Sequence, residues 1–324
     1  MQRRAFILAL GTLLAPSLAL AQARTVRIGF LAPRPRPRVV SIPPILKRLA
    51  ELGYVEGKNL IVEYRSSDGV MERFPSLARE LIEAKCDVII AVGIVQAARA
   101  LIDEKASVPI VILGITCDPV QAGIVPNLQR PGANITGVHF AASALAAKRL
   151  EILSEVVPKA KRYLVLADPQ TTEQLEGARQ AAQRLQLEVV PITFEKPPYD
   201  FESAFEQGRK AKVEALLLPD SAIFLAQRER IGELALKHRM PAAAPAHYFD
   251  SAANGLLFGY GANLDRTSAR AADIAASILR GKKPGDIPVE QPTEFEFVIN
   301  LKTVKALGIS LPGSVVVRAD RVIE

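Results

Sequence analysis

Residues 87–115 read "DVIIAVGIVQAARALIDEKASVPIVILGI". An apolar run ends at Gly93, a stretch with helical spacing follows, and a second apolar run begins behind Pro109. Strands that are apolar throughout, rather than alternating, are covered on both faces. The stretch therefore predicts strand, crossover helix and parallel strand. The same rhythm holds upstream. There "TVRIGFL" (25–31) and "NLIVEYR" (59–65) read as strands, and "PPILKRLAELG" (43–53) and "MERFPSLARELIEAK" (71–85) as helices. Pro43 and Pro44 mark one helix start and Gly53 its end.

The pattern begins again after residue 140. "ALAAKRLEILSEVV", "TEQLEGARQAAQRL", "DFESAFEQGRKA" and a long "SAIFLAQRERIGELALKHR" (221–239) have helical spacing, and "RYLVLA", "LEVVPITF" and "VEALLLP" fall between them as strands. The expected fold class is α/β, two doubly wound parallel-sheet lobes of about 120 residues each. No Pro/Ser/Gly tether separates them. "NITGVHF" (134–140) runs directly from one unit into the next, which predicts a hinge rather than a flexible linker.

Residues 1–21, "MQRRAFILALGTLLAPSLALA", have a basic start, a short apolar stretch and an Ala19-Leu20-Ala21 end, the pattern of a signal peptide cleaved after Ala21. A retained anchor needs roughly 20 unbroken apolar residues. Arg3-Arg4 also fits a twin-arginine signal, which leaves the export route open. Removing those two arginines lowers the formal charge of +7 by two, to a mildly basic +5. No cysteine stands at the cleavage site to be lipidated, so a periplasmic, soluble chain is expected. Cys86 precedes one strand and Cys117 follows its neighbour. In a parallel sheet this separates them by roughly 15 Å, beyond disulfide reach, and two free thiols are expected.

In open parallel sheets, ligands sit outside the carboxyl ends of the strands. The residues there are Ala32-Pro33, Gly93-Ile94-Val95-Gln96, Thr116-Cys117-Asp118, Asp168 and Asp220-Ser221. Asp168 and Asp220-Ser221 also read as ordinary helix caps. "HYF" (247–249) offers Tyr248 either to an aromatic ligand or to packing under the long helix. "GYG" (259–261) lacks the third glycine of a dinucleotide fingerprint. His139, His238 and His247 show no metal-ligand spacing, and neither metal nor cofactor is expected. The run "APRPRPRVV" (32–40) is set between strand and helix. It has no interleaved aromatics for nucleic acid. It reads either as a proline-stiffened solvated loop or as a wall placing Arg34 or Arg36 at a cleft mouth.

"LAELGYVEGKNLIVEYR", "CDPVQAGIVPNLQRPGANITGV", "AAKRLEILSEVVP", "PVEQPTEFEFVINLKTVKALGISLP" and the ending "VRADRVIE" resemble the substrate-binding proteins of ABC transporters typified by the tryptophan-binding member. The resemblance implies a type I periplasmic binding protein: two lobes joined by three crossovers, with a small-molecule ligand enclosed between them. The implied lobes are 22–138 plus about 262–290, and 139–261 plus about 291–324. The implied partner is an ABC permease in the inner membrane, the chain itself being a monomer and not an enzyme. Residues implied at the ligand are Gly93 to Gln96, Thr116 to Asp118, Asp168 and Asp220-Ser221, with Ala32, Pro33, Phe140, Tyr248 and Gly261 completing the expected set.

The chain departs from the family at Ile94-Val95, at His139-Phe140 and at the "PRPRPR" loop. These changes replace small polar residues with apolar surface and arginine, and imply a ligand with an aromatic or aliphatic body and an acid group. A periplasmic sensor using the same cleft, and an enzyme using Cys117 with Asp118 or His139, are the alternatives.

Overall fold

The computed structural model describes residues 25–249 and 255–324. The expected signal segment lies outside the described residues. The first lobe is built from β1 (Val26–Ala32), α1 (Ile42–Glu51), β2 (Leu60–Ser66), α2 (Phe74–Glu83), β3 (Val88–Val92), α3 (Val95–Asp103), β4 (Ile110–Ile115) and β5 (Ile135–His139). The second lobe follows with α4 (Ala142–Val156), β6 (Arg162–Ala167), α5 (Thr172–Leu185), β7 (Glu188–Thr193), α6 (Phe201–Lys210), β8 (Ala215–Leu217), α7 (Ala222–Ala226), α8 (Arg228–Lys237), β9 (Ala242–Ala244) and β10 (Phe258–Ala262). The chain then returns to the first lobe through α9 (Leu264–Leu279) and β11 (Val289–Glu290). It ends in the second with β12 (Phe295–Asn300), α10 (Leu301–Leu307), α11 (Gly313–Val317) and β13 (Arg321–Ile323).

Two sheets result, in the orders β11-β5-β4-β3-β1-β2 and β13-β12-β10-β9-β8-β6-β7. The chain passes between them after β5, after β10 and between β11 and β12. Among the described residues every strand pairing is parallel except β10 with β12, because β12 re-enters the second lobe from the third crossing and runs back along β10.

The all-apolar strands are explained by two-sided burial. Along β3, Ile89 and Ala91 face the core under α2 and α3, whereas Val88, Ile90 and Val92 face the core under α1 and α9. The second sheet divides in the same way, with α4 and α5 covering one face and α6 and α8 the other. Phe140, Ala142, Ala262 and Leu264 pack together where two of the crossings meet.

Three local features differ from the expectation or refine it. The long helix over 221–239 is broken at Gln227 into α7 and α8. Phe224 and Ile231 are nevertheless both buried, seven residues apart, so the apolar stripe runs unbroken through the kink. β9 is three alanines, a strand that carries no β-forming residue and is held by β8 and β10 on either side. In β4 the register shifts between Leu113 and Ile115. Gly114 there has φ +71°, a bulge near the end of the strand, and lines the space between the lobes.

Candidate functional site

Strand order reverses between β3 and β1 in the first sheet and between β8 and β6 in the second. Loops leaving such neighbouring strands diverge to opposite faces and leave a crevice at the carboxyl edge. The two crevices face each other and form a cavity of about 120 Å³. Its first-lobe wall is Pro33-Arg34 after β1, Gly93-Ile94 after β3 and Thr116 after β4; Gln170, Asp220-Ser221 and His247 supply the second-lobe wall. Phe140 and Leu264, at two crossings, close the hinge side.

Of the expected residues, Pro33, Gly93, Ile94, Thr116, Phe140, Asp220 and Ser221 meet at this cavity. The others lie elsewhere, for identifiable reasons. Ala32 is fully buried in the sheet core. Val95 and Gln96 have already turned into α3, and Gln96 is exposed. Cys117 packs against the core beneath α3. Asp118 turns back on its own loop, its Oδ1 accepting the Val120 N–H at 2.7 Å. Its side lines a second, wider opening of about 920 Å³ between the lobes, together with His139 and Glu173. Gly261 lies against Ala246, where a Cβ would come within 3.3 Å of the Ala246 nitrogen.

Asp168 and Tyr248 stand directly behind the wall and build it. Asp168 Oδ2 accepts the Ser221 hydroxyl at 2.5 Å, and the Asp168 carboxyl also accepts the Gln170 N–H at 2.9 Å. Burial raises this carboxyl above the ordinary aspartate value, with the bonds from Ser221, Gln170, Thr171 and Tyr199 pulling the other way. Tyr248 has no exposed surface. Its Oη accepts the Ser221 N–H at 3.0 Å and donates to the Ser221 carbonyl at 2.9 Å. Asp168 and Tyr248 thus fix the loop that presents Asp220.

The charges in the cavity are arranged in two groups. On the second lobe, Asp220 Oδ1 lies 3.4 Å from His247 Nε2. Burial acts to raise the Asp220 carboxyl, but the His247 imidazole beside it, which also hydrogen-bonds it, and the charges of Arg149 and Arg34 outweigh burial and hold the group below the ordinary aspartate value. Arg149 is fully buried on α4, donating to the Tyr260 carbonyl at 3.1 Å. Burial pulls its guanidinium down to about 10, against the opposing pull of Asp220. On the first lobe, Arg34 extends across the cleft and donates to the Ala222 carbonyl at the start of α7. Burial lowers its guanidinium, and Asp220 acts in the opposite sense from a distance.

The "PRPRPR" run therefore divides its labour. Arg36 forms a two-pronged pair with Glu56 at 2.9 and 2.7 Å on the surface, Arg38 lies at the cavity edge, and Arg34 enters the cleft. Gln170, His247 and Leu264 were absent from the expected set, and of the two arginines offered for the cleft mouth it is Arg34 that enters. His247 was concealed by its neighbour: in the single 3-10 turn Ala246–Phe249, Tyr248 points into the core and His247 into the cavity.

Among the described residues no three His, Cys, Asp or Glu side chains cluster as a metal site, and no helix is long and apolar enough to cross a membrane. Cys86 and Cys117 are free thiols.

Two facing α/β lobes with a small, charged, partly apolar cleft at their switch points define a class of two-lobed small-molecule binders. A family model for "ABC transporter substrate binding protein" matches residues 41–323, and the chain belongs to that family. It is 27% identical over 270 residues to a tyrosine-binding protein of Clostridioides difficile (strain R20291), covering 82% of this chain and 75% of that protein. A conserved domain protein from Vibrio cholerae O1 biovar eltor superposes with a TM-score of 0.84 at 25% identity, over 92% of this chain and 100% of the other. An ABC domain from Streptococcus pneumonia in complex with L-Trp superposes at 0.80 with 24% identity and the same coverage.

Proposed function

We propose that this protein is the solute-capturing component of an ABC importer. It takes an amino-acid-like or an aromatic or aliphatic acid ligand into the cleft, and its lobes close around the ligand. One observation carries the reading: Arg34 and Asp220, of opposite charge, line one cavity from opposite lobes and yet make no ion pair with each other. A cation and an anion held apart in a partly apolar cleft suit a small molecule with an acid group, and suit equally one that adds an amine. The C. difficile relative, named for tyrosine binding, supports the same ligand class.

Closure needs no catalysis. A ligand touching both lobes binds the closed form better and shifts the population toward it, and the closed form docks on a membrane permease. The chain acts as a monomer in the periplasm after export. The Cys117 thiol, pushed up to about 11 first by burial and then by Glu173, is a poor nucleophile, which favours binding over chemistry at this cleft.

The test is a thermal-shift screen of the exported chain from Gln22, refolded to strip carried ligand, against amino acids, aromatic acids, aliphatic acids and sugars. A ligand at about 100 times its Kd adds about 2.7 kcal/mol, which raises the midpoint by about 5–10 °C for a lobe of this size. Calorimetry on Asp220→Ala then shows weakened binding in a folded chain. Consumption of the compound, or a shift with sugars alone, overturns the reading.

A further inference from the structure

We propose that Arg34 is the specificity-determining residue of the cleft: its guanidinium recognises the acid group of the ligand, which takes the place now held by the Ala222 carbonyl. The assignment rests on the cleft being the ligand site, and adds which residue selects the ligand and what chemistry it selects.

Four observations carry it. First, a guanidinium has five N–H donors. Among the described residues Arg34 gives hydrogen bonds to one neutral acceptor, the Ala222 carbonyl, and has no carboxylate within ion-pair distance, although it is half-buried. Other arginines around it are already paired or open to water: Arg36 is engaged by Glu56, and Arg38 is exposed. Second, the backbone carrying it is fixed. Pro33 and Pro35 flank it, and the residue before a proline is held extended. Tyr64 Oη donates to the Arg34 carbonyl at 2.6 Å, and the Gly69 N–H to the Pro33 carbonyl at 2.8 Å. A loop fixed in this way loses little backbone freedom when its side chain grips a ligand.

Third, exchanging a neutral carbonyl for a two-oxygen anion is favourable, because charge-assisted, two-pronged bonds are roughly twice as strong as neutral ones. Asp220 does not compete for the same fork, being engaged by His247 at 3.4 Å. Fourth, the cavity volume of about 120 Å³ approaches the roughly 150 Å³ of an apolar protein cavity that accommodates a benzene ring. Ile94, Phe140, Leu225 and Leu264 supply the apolar lining beside the guanidinium. The ligand class is a compact acid with one ring or a short branched chain.

The experiment is calorimetry with four acids (L-tyrosine, L-leucine, phenylacetate and 4-methylpentanoate) and the amides of the same skeletons. The proteins are wild type, Arg34→Met, Arg34→Lys and Arg36→Met. The expected result is that at least one acid binds wild type and its amide binds at least about 30-fold more weakly, a factor equal to about 2 kcal/mol. Arg34→Met weakens the acid by a similar factor and leaves the amide unchanged, Arg34→Lys falls between, and Arg36→Met matches wild type. An amide that binds wild type as tightly as its acid overturns the assignment without any variant. An acid that binds Arg34→Met and wild type alike overturns it too, while leaving the importer reading in place. Binding by none of the acids overturns the acid-ligand reading of the cleft together with this assignment.

Discussion

Gln174 holds the backbone of Asp220 at both ends: its Nε2 donates to the Asp220 carbonyl at 2.8 Å, and its Oε1 accepts the Asp220 N–H at 2.8 Å. The same Oε1 lies 3.5 Å from the Arg149 guanidinium. One buried amide on α5 thus locks the cleft aspartate to the helix layer behind it. Gln174→Leu leaves two backbone groups and a buried guanidinium short of partners. Each of the two unmet backbone groups costs about 1–3 kcal/mol, so the variant should lose about 2–6 kcal/mol in urea unfolding and bind ligand more weakly. Undiminished stability would mean that water takes over both bonds.

Gly137 in β5 has φ +140°, and a Cβ there would stand 2.1 Å from the Ile112 carbonyl oxygen of β4. Gly53 has φ +95° with nothing near its Cβ position. Gly137→Ala should therefore cost more than about 4 kcal/mol and reduce soluble yield. Gly53→Ala carries backbone strain alone, about 1 kcal/mol. Similar denaturation midpoints for the two variants would contradict the close approach of β5 to β4.

Asp220 gives a pH signature. Its carboxyl stays below the ordinary 3.8 because His247, Arg149 and Arg34 outweigh burial. A depressed folded value means that the charge contributes stability in full above the unfolded value, and that this contribution fades as pH drops through the folded one. The stability gap between wild type and Asp220→Asn should be widest near neutral pH and should narrow below about pH 4. A gap of constant width across that range would exclude a charged, paired Asp220.

Burial pushes the Cys86 thiol up to about 11, and the Cys117 thiol likewise, with Glu173 and Asp118 adding to the effect at Cys117. Both should react slowly with a thiol-specific dye at neutral pH in the native chain and promptly in denaturant. Cys117→Ser should keep wild-type ligand affinity. Rapid native labelling of Cys117 would reopen the catalytic alternative.

The sheets were legible because two-sided burial leaves apolar runs such as "VIIAV" and "IVILGI", and the helical stretches between them mark these as parallel strands. β9 escaped notice, since three alanines have no strand preference of their own and are held there by β8 and β10. At the site, the rule of carboxyl strand ends located the correct loops. It did not say which way each loop residue faces. Asp168 and Asp220 look alike in sequence, yet one ties two loops together behind the wall and the other forms the wall. The proline–arginine repeat reads equally as solvated surface and as a cleft wall, and the sequence does not say whether Arg34 or Arg36 enters. Only the second lobe's approach, through Ala222, separates the two.

The return of α9 to the first lobe has a consequence for how the chain is made. Ile28, Phe30, Ile90 and Val111 share their core with Ala271, Ile274, Ala275 and Ile278 of α9, which the ribosome delivers only after all of β6 to β10. A nascent chain carries that sheet face half-bare, under α1 alone, for as long as the second lobe takes to synthesise. Whatever receives the emerging polypeptide must handle a sticky, incomplete first lobe. Neither lobe can be cut from the gene as one uninterrupted fragment and be expected to fold.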